Sequence, residues 1–279
     1  MRKLHLIVLF AMLCSVSANA QMQSCCAKPS DMQAMALNTD FKASHKSPIP
    51  FNYTLAKGSM ITYHCLDGKD ASAYFLPSDA ATNKVLIIFH EWWGLNDYIK
   101  KEADKWQALL GNVDVYAIDL YDGKVAADPD IASGLASGLD PKRADNIING
   151  LLSKIGPDRQ VATLGWCMGG AWSFRATVLA KNQAAACVMY YGFPEKEAKN
   201  IKPQADVLYI LGDKDKFIKQ PFVEDFGDKI KATGHKFTLF VYDGVHAFAN
   251  PSNPDYNSLS ATKAQNESLK FLKDKLELE

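Results

Sequence analysis

The sequence predicts an α/β fold, with a mostly parallel central sheet, helices on both faces and an antiparallel hairpin at the N-terminal edge. Three observations carry this. Strand-like and helix-like segments alternate from Met60 onward. Several strand segments are unbroken apolar runs, the pattern of strands buried on both faces. Two further segments near the start are joined by Asp67-Gly68, a hairpin turn signal.

Taken in order, residues 61–66 and 71–76 form the hairpin. Residues 84–90 contain Val-Leu-Ile-Ile-Phe and read as a buried strand. Residues 96–110 put Ile99, Ala103, Trp106 and Leu110 on one stripe of a helix. A strand over 113–118 leads into the exit loop Asp119-Leu120-Tyr121-Asp122-Gly123. Helices are expected over 129–135 and 141–155, then a short strand over 161–165 and a helix over 170–180. Residues 184–190 and 206–211 read as two more buried strands, separated by a loop containing Gly192, Pro194 and Pro203. A helix over 221–232, a strand over 236–242 and a C-terminal helix over 258–276 complete the alternation. No repeat or linker divides this part, so residues 51–279 are expected to form a single domain.

Residues 1–20 have the pattern of a secretory signal peptide. Arg2 and Lys3 precede an apolar run from Leu4 to Val16, and Ala18-Asn19-Ala20 offers the cleavage site. The run is shorter than the roughly 20 residues a spanning helix needs. The mature protein is therefore expected to be exported, periplasmic or secreted, with no membrane attachment after cleavage. Cleavage removes Cys14 and leaves Cys25, Cys26, Cys65, Cys167 and Cys187, an odd set. Residues 21–50 read as a flexible, solvated tether. An alternative for that stretch is a soft-metal site made by Cys25-Cys26 with Met32, Met35 and His45. Composition is ordinary, 48% apolar and 22% charged with a formal net charge of zero. No cluster of Lys and Arg reads as a nucleic-acid footprint.

In parallel sheets, ligands bind beyond the carboxyl ends of the strands. Four polar residues fall there: Glu91, Cys167, Asp215 and His246. Gly165-Trp166-Cys167-Met168-Gly169 lies between a strand and a helix, the context of a nucleophile elbow. A thiol at a helix N-terminus is favoured as thiolate. Asp215 and His246 follow in the order nucleophile, acid, histidine. Asp213 reads instead as a loop-shaping residue. His246 would take the thiol proton and later protonate the leaving group, with Asp215 fixing its tautomer. The backbone N–H groups of Met168 and Trp92 are the candidate oxyanion donors.

Together, His90-Glu91-Trp92-Trp93-Gly94-Leu95-Asn96, Asp119-Leu120-Tyr121, Gly165-Trp166-Cys167-Met168-Gly169-Gly170, Gly212-Asp213-Lys214-Asp215-Lys216-Phe217 and His246-Ala247-Phe248-Ala249 resemble the dienelactone hydrolase family. The resemblance runs from about Met60 to the C-terminus. It implies an α/β-hydrolase fold, a Cys167-His246-Asp215 triad, and a role for Glu91 as the carboxylate that contacts the resting thiol. Family members that cleave muconate-pathway lactones carry two arginines for the substrate carboxylate. The matching positions here are Gly123 and Asn250, and Lys124 is one place from the first. Trp93, Tyr121, Lys124 and Trp166 are the candidate substrate contacts, and the aromatic ones point to an apolar or aromatic ester. Trp166 reads equally well as a core residue.

The expected function is hydrolysis of a small-molecule ester or lactone through a thioester acyl-enzyme. The competing reading is a non-catalytic binding or thiol-redox protein on the same scaffold. No H-E-x-x-H or C-x-x-C cluster occurs, so no metal and no organic cofactor is expected.

Overall fold

A computed structural model describes residues 30–197 and 201–279. The expected signal peptide and the Cys25-Cys26 pair lie outside these residues. Eight strands form one sheet: β1 Ser59–His64, β2 Asp70–Leu76, β3 Lys84–Phe89, β4 Asp114–Ile118, β5 Gln160–Trp166, β6 Ala184–Tyr190, β7 Asp206–Gly212 and β8 Phe237–Tyr242. Their spatial order is β1-β2-β4-β3-β5-β6-β7-β8. β2 pairs antiparallel with both β1 and β4, and all later pairings are parallel. Burial follows the predicted pattern: β3, β5, β6 and β7 are buried along most of their length, while the edge strands β1 and β8 alternate or stay half-buried.

The helices are α1 Ser30–Ala36, α2 Thr39–Ser44, α3 Asp97–Leu110, α4 Pro129–Gly138, α5 Pro141–Ile155, α6 Met168–Ala180, α7 Gln220–Lys231 and α8 Ser258–Leu276. Local chemistry sets several of their starts. The Asn96 side chain accepts from the Ile99 N–H, and Asp128 and Asp140 cap α4 and α5, each followed by a proline in the first turn. α6 carries small and apolar residues on all sides and is buried along most of its length. Among the described residues, no helix is long and apolar enough to cross a membrane.

Two features differ from the sequence reading. The hairpin turn is longer than expected: the Cys65 N–H donates to the Lys69 carbonyl, and Leu66 sits in the loop with 86% of its surface exposed. Gly68 takes φ +78 there, which removes Leu66 from the strand pairing. The second difference lies in residues 30–45, expected as a solvated tether. They form α1 and α2, docked on α4. Ser133 Oγ donates to the Ala36 carbonyl at 2.6 Å, Gln33 Nε2 to the Leu139 carbonyl at 2.6 Å, and Lys42 pairs with Asp130 at 2.7 Å. Met32, Ala36 and Phe41 are buried, which gives this short segment enough apolar contact to stay in place. The following stretch is tied to α3, where Asp104 accepts from the Tyr53 hydroxyl, the Lys57 N–H and the Tyr74 hydroxyl.

The sheet order positions the site. From β3 the chain moves outward to β4, then crosses back over β3 to β5, so the strand order reverses between β3 and β5. A crevice opens at the carboxyl ends of strands at such a reversal. Phe89 pairs with Gly165 in register, so Glu91 and Cys167, each two residues further on, emerge side by side.

Candidate active site

The turn after β5 is built for close approach. A Cβ on Gly165 would meet the Gly169 carbonyl oxygen at 2.1 Å, and one on Gly169 would meet the Phe89 carbonyl oxygen at 2.3 Å. Both atoms are backbone and cannot yield, so only glycine lets strand, turn and helix pass this near one another. Cys167 itself takes φ 52 and ψ −119, a conformation that costs an L-residue on the order of 1–3 kcal/mol. Cys167 holds the N-cap position of α6. The Met168 N–H is directed at the sulfur and favours negative charge there.

β7 and β8 supply the other two groups. Gly212 pairs with Tyr242 at the end of their register; Asp215 lies three residues beyond the first and His246 four beyond the second. His246 Nε2 lies 3.3 Å from Cys167 Sγ, and its Nδ1 lies 2.8 Å from Asp215 Oδ2. The other Asp215 oxygen accepts from the Phe217 and Ile218 N–H groups at 2.8 and 2.9 Å, which fixes the carboxylate. Asp213 accepts from the Gly244 N–H at 3.0 Å, the loop-shaping place expected of it. Burial by itself would raise Asp215, but His246 and the two backbone donors hold it below the ordinary carboxylate value. Burial would likewise lower His246, yet Asp215 and the sulfur hold it well above its ordinary value. Burial lifts the Cys167 thiol, against the pull of His246.

Glu91 sits beside this group, although its hydrogen bonds run elsewhere. Asn250 Nδ2 donates to its Oε2, and the Tyr191 hydroxyl lies 3.4 Å from Oε1. The thiol's partner in this structure is therefore His246 and not Glu91, the contact that the resemblance implied. Burial raises the Glu91 carboxyl to about 8 in spite of nearby His246, and its proximity to the sulfur raises the thiol further. Asn250 stands where some family members have an arginine; the Ser252 N–H and hydroxyl hold its carbonyl oxygen at 2.8 Å and so turn its amide toward Glu91.

Of the two candidate oxyanion donors, Trp92 sits on the loop after β3 and Met168 is the first residue of α6. The Trp92 N–H donates to no acceptor among the described residues, and Trp92 is fully buried. Trp93 and Trp166 line a cleft with Glu91 and Asn250; Cys167 and His246 are not among its lining residues. Tyr121 does not reach that cleft: its hydroxyl donates to Met168 Sδ at 3.1 Å and its ring packs on His90, beneath the nucleophile turn. Lys124 is exposed in the turn after β4 and does not line the cleft either. Gly123 in that turn takes φ +89 and donates to Asp119 Oδ2 at 2.5 Å, a backbone shape that disfavours an arginine.

Sequence reasoning missed Phe41 as a site residue and offered His45 only as a ligand of a soft-metal site with Cys25-Cys26, Met32 and Met35, not beside His246. The Phe41 ring stands 5.4 Å from His246 and 5.3 Å from Trp92, and the His45 ring 5.5 and 4.7 Å from the same two. Under this cover Cys167 is 1% exposed. Burial, with His246 nearby, lowers His45 to about 3, so it is neutral. The available signal was local: Asn38 caps α2 by accepting from the Phe41 N–H, and an apolar Met32-Met35-Ala36 spacing precedes it. Among the described residues, the groups able to share a metal ion are His45, Cys167 and His246.

Residues 71–276 match the dienelactone hydrolase family. The usf protein of Aquifex pyrophilus is 32% identical over 209 residues, covering 68% of this chain and 88% of that protein. Carboxymethylenebutenolidase 1 of Cupriavidus pinatubonensis is 24% identical, covering 67% and 85%. Among solved structures, a dienelactone hydrolase-like promiscuous phosphotriesterase from metagenomic libraries superposes with a TM-score of 0.64 at 18% identity, covering 78% of this chain and 98% of that one. The chain belongs to the dienelactone hydrolase family.

Proposed function

We propose that this protein hydrolyses small-molecule esters or lactones with Cys167 as nucleophile. The observation that carries the reading is the buried chain Cys167 Sγ–His246 Nε2 and His246 Nδ1–Asp215 Oδ2, at 3.3 and 2.8 Å, beyond the carboxyl ends of the strands. His246 takes the thiol proton as sulfur attacks the carbonyl carbon. The oxyanion is held by the N–H groups of Met168 and Trp92, each such donor being worth roughly 3 kcal/mol of barrier. Collapse forms the thioester and expels the alcohol, which leaves with the proton from His246. A water then repeats the sequence against the thioester and frees the acid.

Substrate chemistry is drawn from the cleft. Trp93 and Trp166 favour an apolar or aromatic group, while Gly123 and Asn250 bring no guanidinium for a substrate carboxylate. The thiol-redox reading needs a second cysteine near Cys167, and among the described residues neither of the other two cysteines pairs with it. Cys187 packs on Ser173 and Cys65 lies against the Gly150 backbone of α5, and both are free. Turnover of a p-nitrophenyl ester that Cys167→Ala abolishes, with an acyl adduct on the Cys167 peptide by mass spectrometry, is the expected result. Undiminished turnover in Cys167→Ala would overturn the proposal. Export belongs to the same reading and rests on residues 1–20; the protein recovered from the periplasm or medium should begin at Gln21.

A further inference from the structure

We propose that Cys167, His246 and His45 bind one borderline-soft divalent cation of the Zn²⁺ type, which shuts the site by occupying the sulfur that would attack the substrate. The ligand atoms of the three side chains lie within 4.8 Å of one another, and all three residues are buried. A tetrahedral Zn²⁺ with bonds of about 2.0–2.3 Å holds nitrogen and sulfur ligands about 3.3–3.8 Å apart. The sulfur and His246 Nε2, 3.3 Å apart, already satisfy that spacing, and His45 has only about an ångström to close.

The surroundings of the two histidines make this more than a chance cluster. Histidines that bind metal normally give their other ring N–H to an oxygen, which fixes the tautomer and frees the metal-binding nitrogen. Both do so here. His246 Nδ1 faces Asp215 Oδ2 at 2.8 Å, and His45 Nδ1 faces the Phe41 carbonyl at 2.7 Å. His45 is thereby left with a lone pair on Nε2, while His246 Nε2 and Cys167 Sγ share one proton, which the cation displaces. The thiolate and the Asp215 carboxylate balance the charge of the dication. Nitrogen and sulfur donors select a cation of this class over Mg²⁺ or Ca²⁺. Three protein ligands leave a fourth position for water. On binding, the S–H bond gives way to a sulfur–metal bond, the proton leaves to solvent, and no electron changes hands. His45 comes from the segment that covers the site, so the same cation also latches that segment down.

This proposal rests on the Cys167–His246 pairing of the proposed function, but it is read without substrate. The protein carrying Cys25→Ser and Cys26→Ser is titrated with Zn²⁺ against a chromophoric chelator, and with Co²⁺ by absorption. One equivalent should bind, and Co²⁺ should give a thiolate charge-transfer band that Cys167→Ser removes. His45→Asn keeps a donor for the Phe41 carbonyl but lacks Nε2; it should weaken Zn²⁺ binding at least tenfold, with the fold checked by circular dichroism. His45→Ala, which also frees the segment, should weaken it at least as much. Zn²⁺ affinity unchanged in both His45 variants, or a charge-transfer band that survives Cys167→Ser, overturns the cation site. Thiol-dependent ester turnover with no Zn²⁺ binding would sink this proposal and leave the hydrolase intact. Zn²⁺ binding as described with no turnover would do the reverse.

Discussion

Asp215 does two things with two oxygens. One is fixed by the backbone N–H groups of Phe217 and Ile218, and the other faces His246. Asp215→Asn keeps the shape but removes the charge that holds His246 above its ordinary value. It should lower kcat/KM on a p-nitrophenyl ester by roughly 10²–10⁴-fold and move the alkaline-rising limb of its pH profile to lower pH. Glu91 has the opposite character. Its carboxyl is buried and raised from 4.5 to about 8, so folding keeps a proton that the unfolded chain gives up. Between those two values the native state binds more protons than the unfolded one. Stability therefore falls as pH rises through that window, by at most about 5 kcal/mol once above it. Glu91→Gln mimics the protonated acid. In urea titrations at several pH values, its stability relative to wild type should be level below pH 4.5 and should climb between pH 5 and 8. A flat difference across that range would show that Glu91 is ionised in the folded protein.

At the scale of elements, the site is held by loops whose positions follow from strand register, and part of this was legible in the sequence. The unbroken apolar runs of β3, β6 and β7 and the glycines flanking Cys167 are local patterns, and they sufficed to bring Glu91, Cys167, Asp215 and His246 to one end of the sheet. Docking of α1 and α2 was not legible. It depends on contacts between residues far apart in the chain, such as Phe41 with Trp92 and His246, and neither helix is long enough to announce itself by periodicity. The exposure of Lys124 was not legible for a related reason: proximity in sequence to the arginine position says nothing of the Gly123 turn that leaves its side chain in solvent. The docked segment gives a test of its own. Phe41→Ala removes its largest buried side chain, a loss of about 3–5 kcal/mol that falls on local docking. Alkylation of Cys167 by iodoacetamide, followed on its peptide by mass spectrometry, should quicken about tenfold or more, with little change in the main thermal transition.

Across the whole molecule, one sheet performs both tasks. Its interior strands form the core, and the reversal of strand order between β3 and β5 makes the crevice. Cys167, Asp215 and His246 follow three different strands, β5, β7 and β8, so a shift of any one of these changes a distance among the three, while Glu91 follows β3. The cover over the site is of another kind. Residues 30–45 precede the span 71–276 that matches the family, yet Phe41 and His45 stand within ring contact of His246. The shared span thus supplies the reacting groups, and a separate stretch of chain supplies part of the wall they face. On the proposed function, a change in the cover should alter which esters reach Cys167 while Asp215, His246 and the nucleophile turn stay as they are. On the same reading, exchanging the sixteen residues 30–45 should accordingly change ester preference without rebuilding the triad.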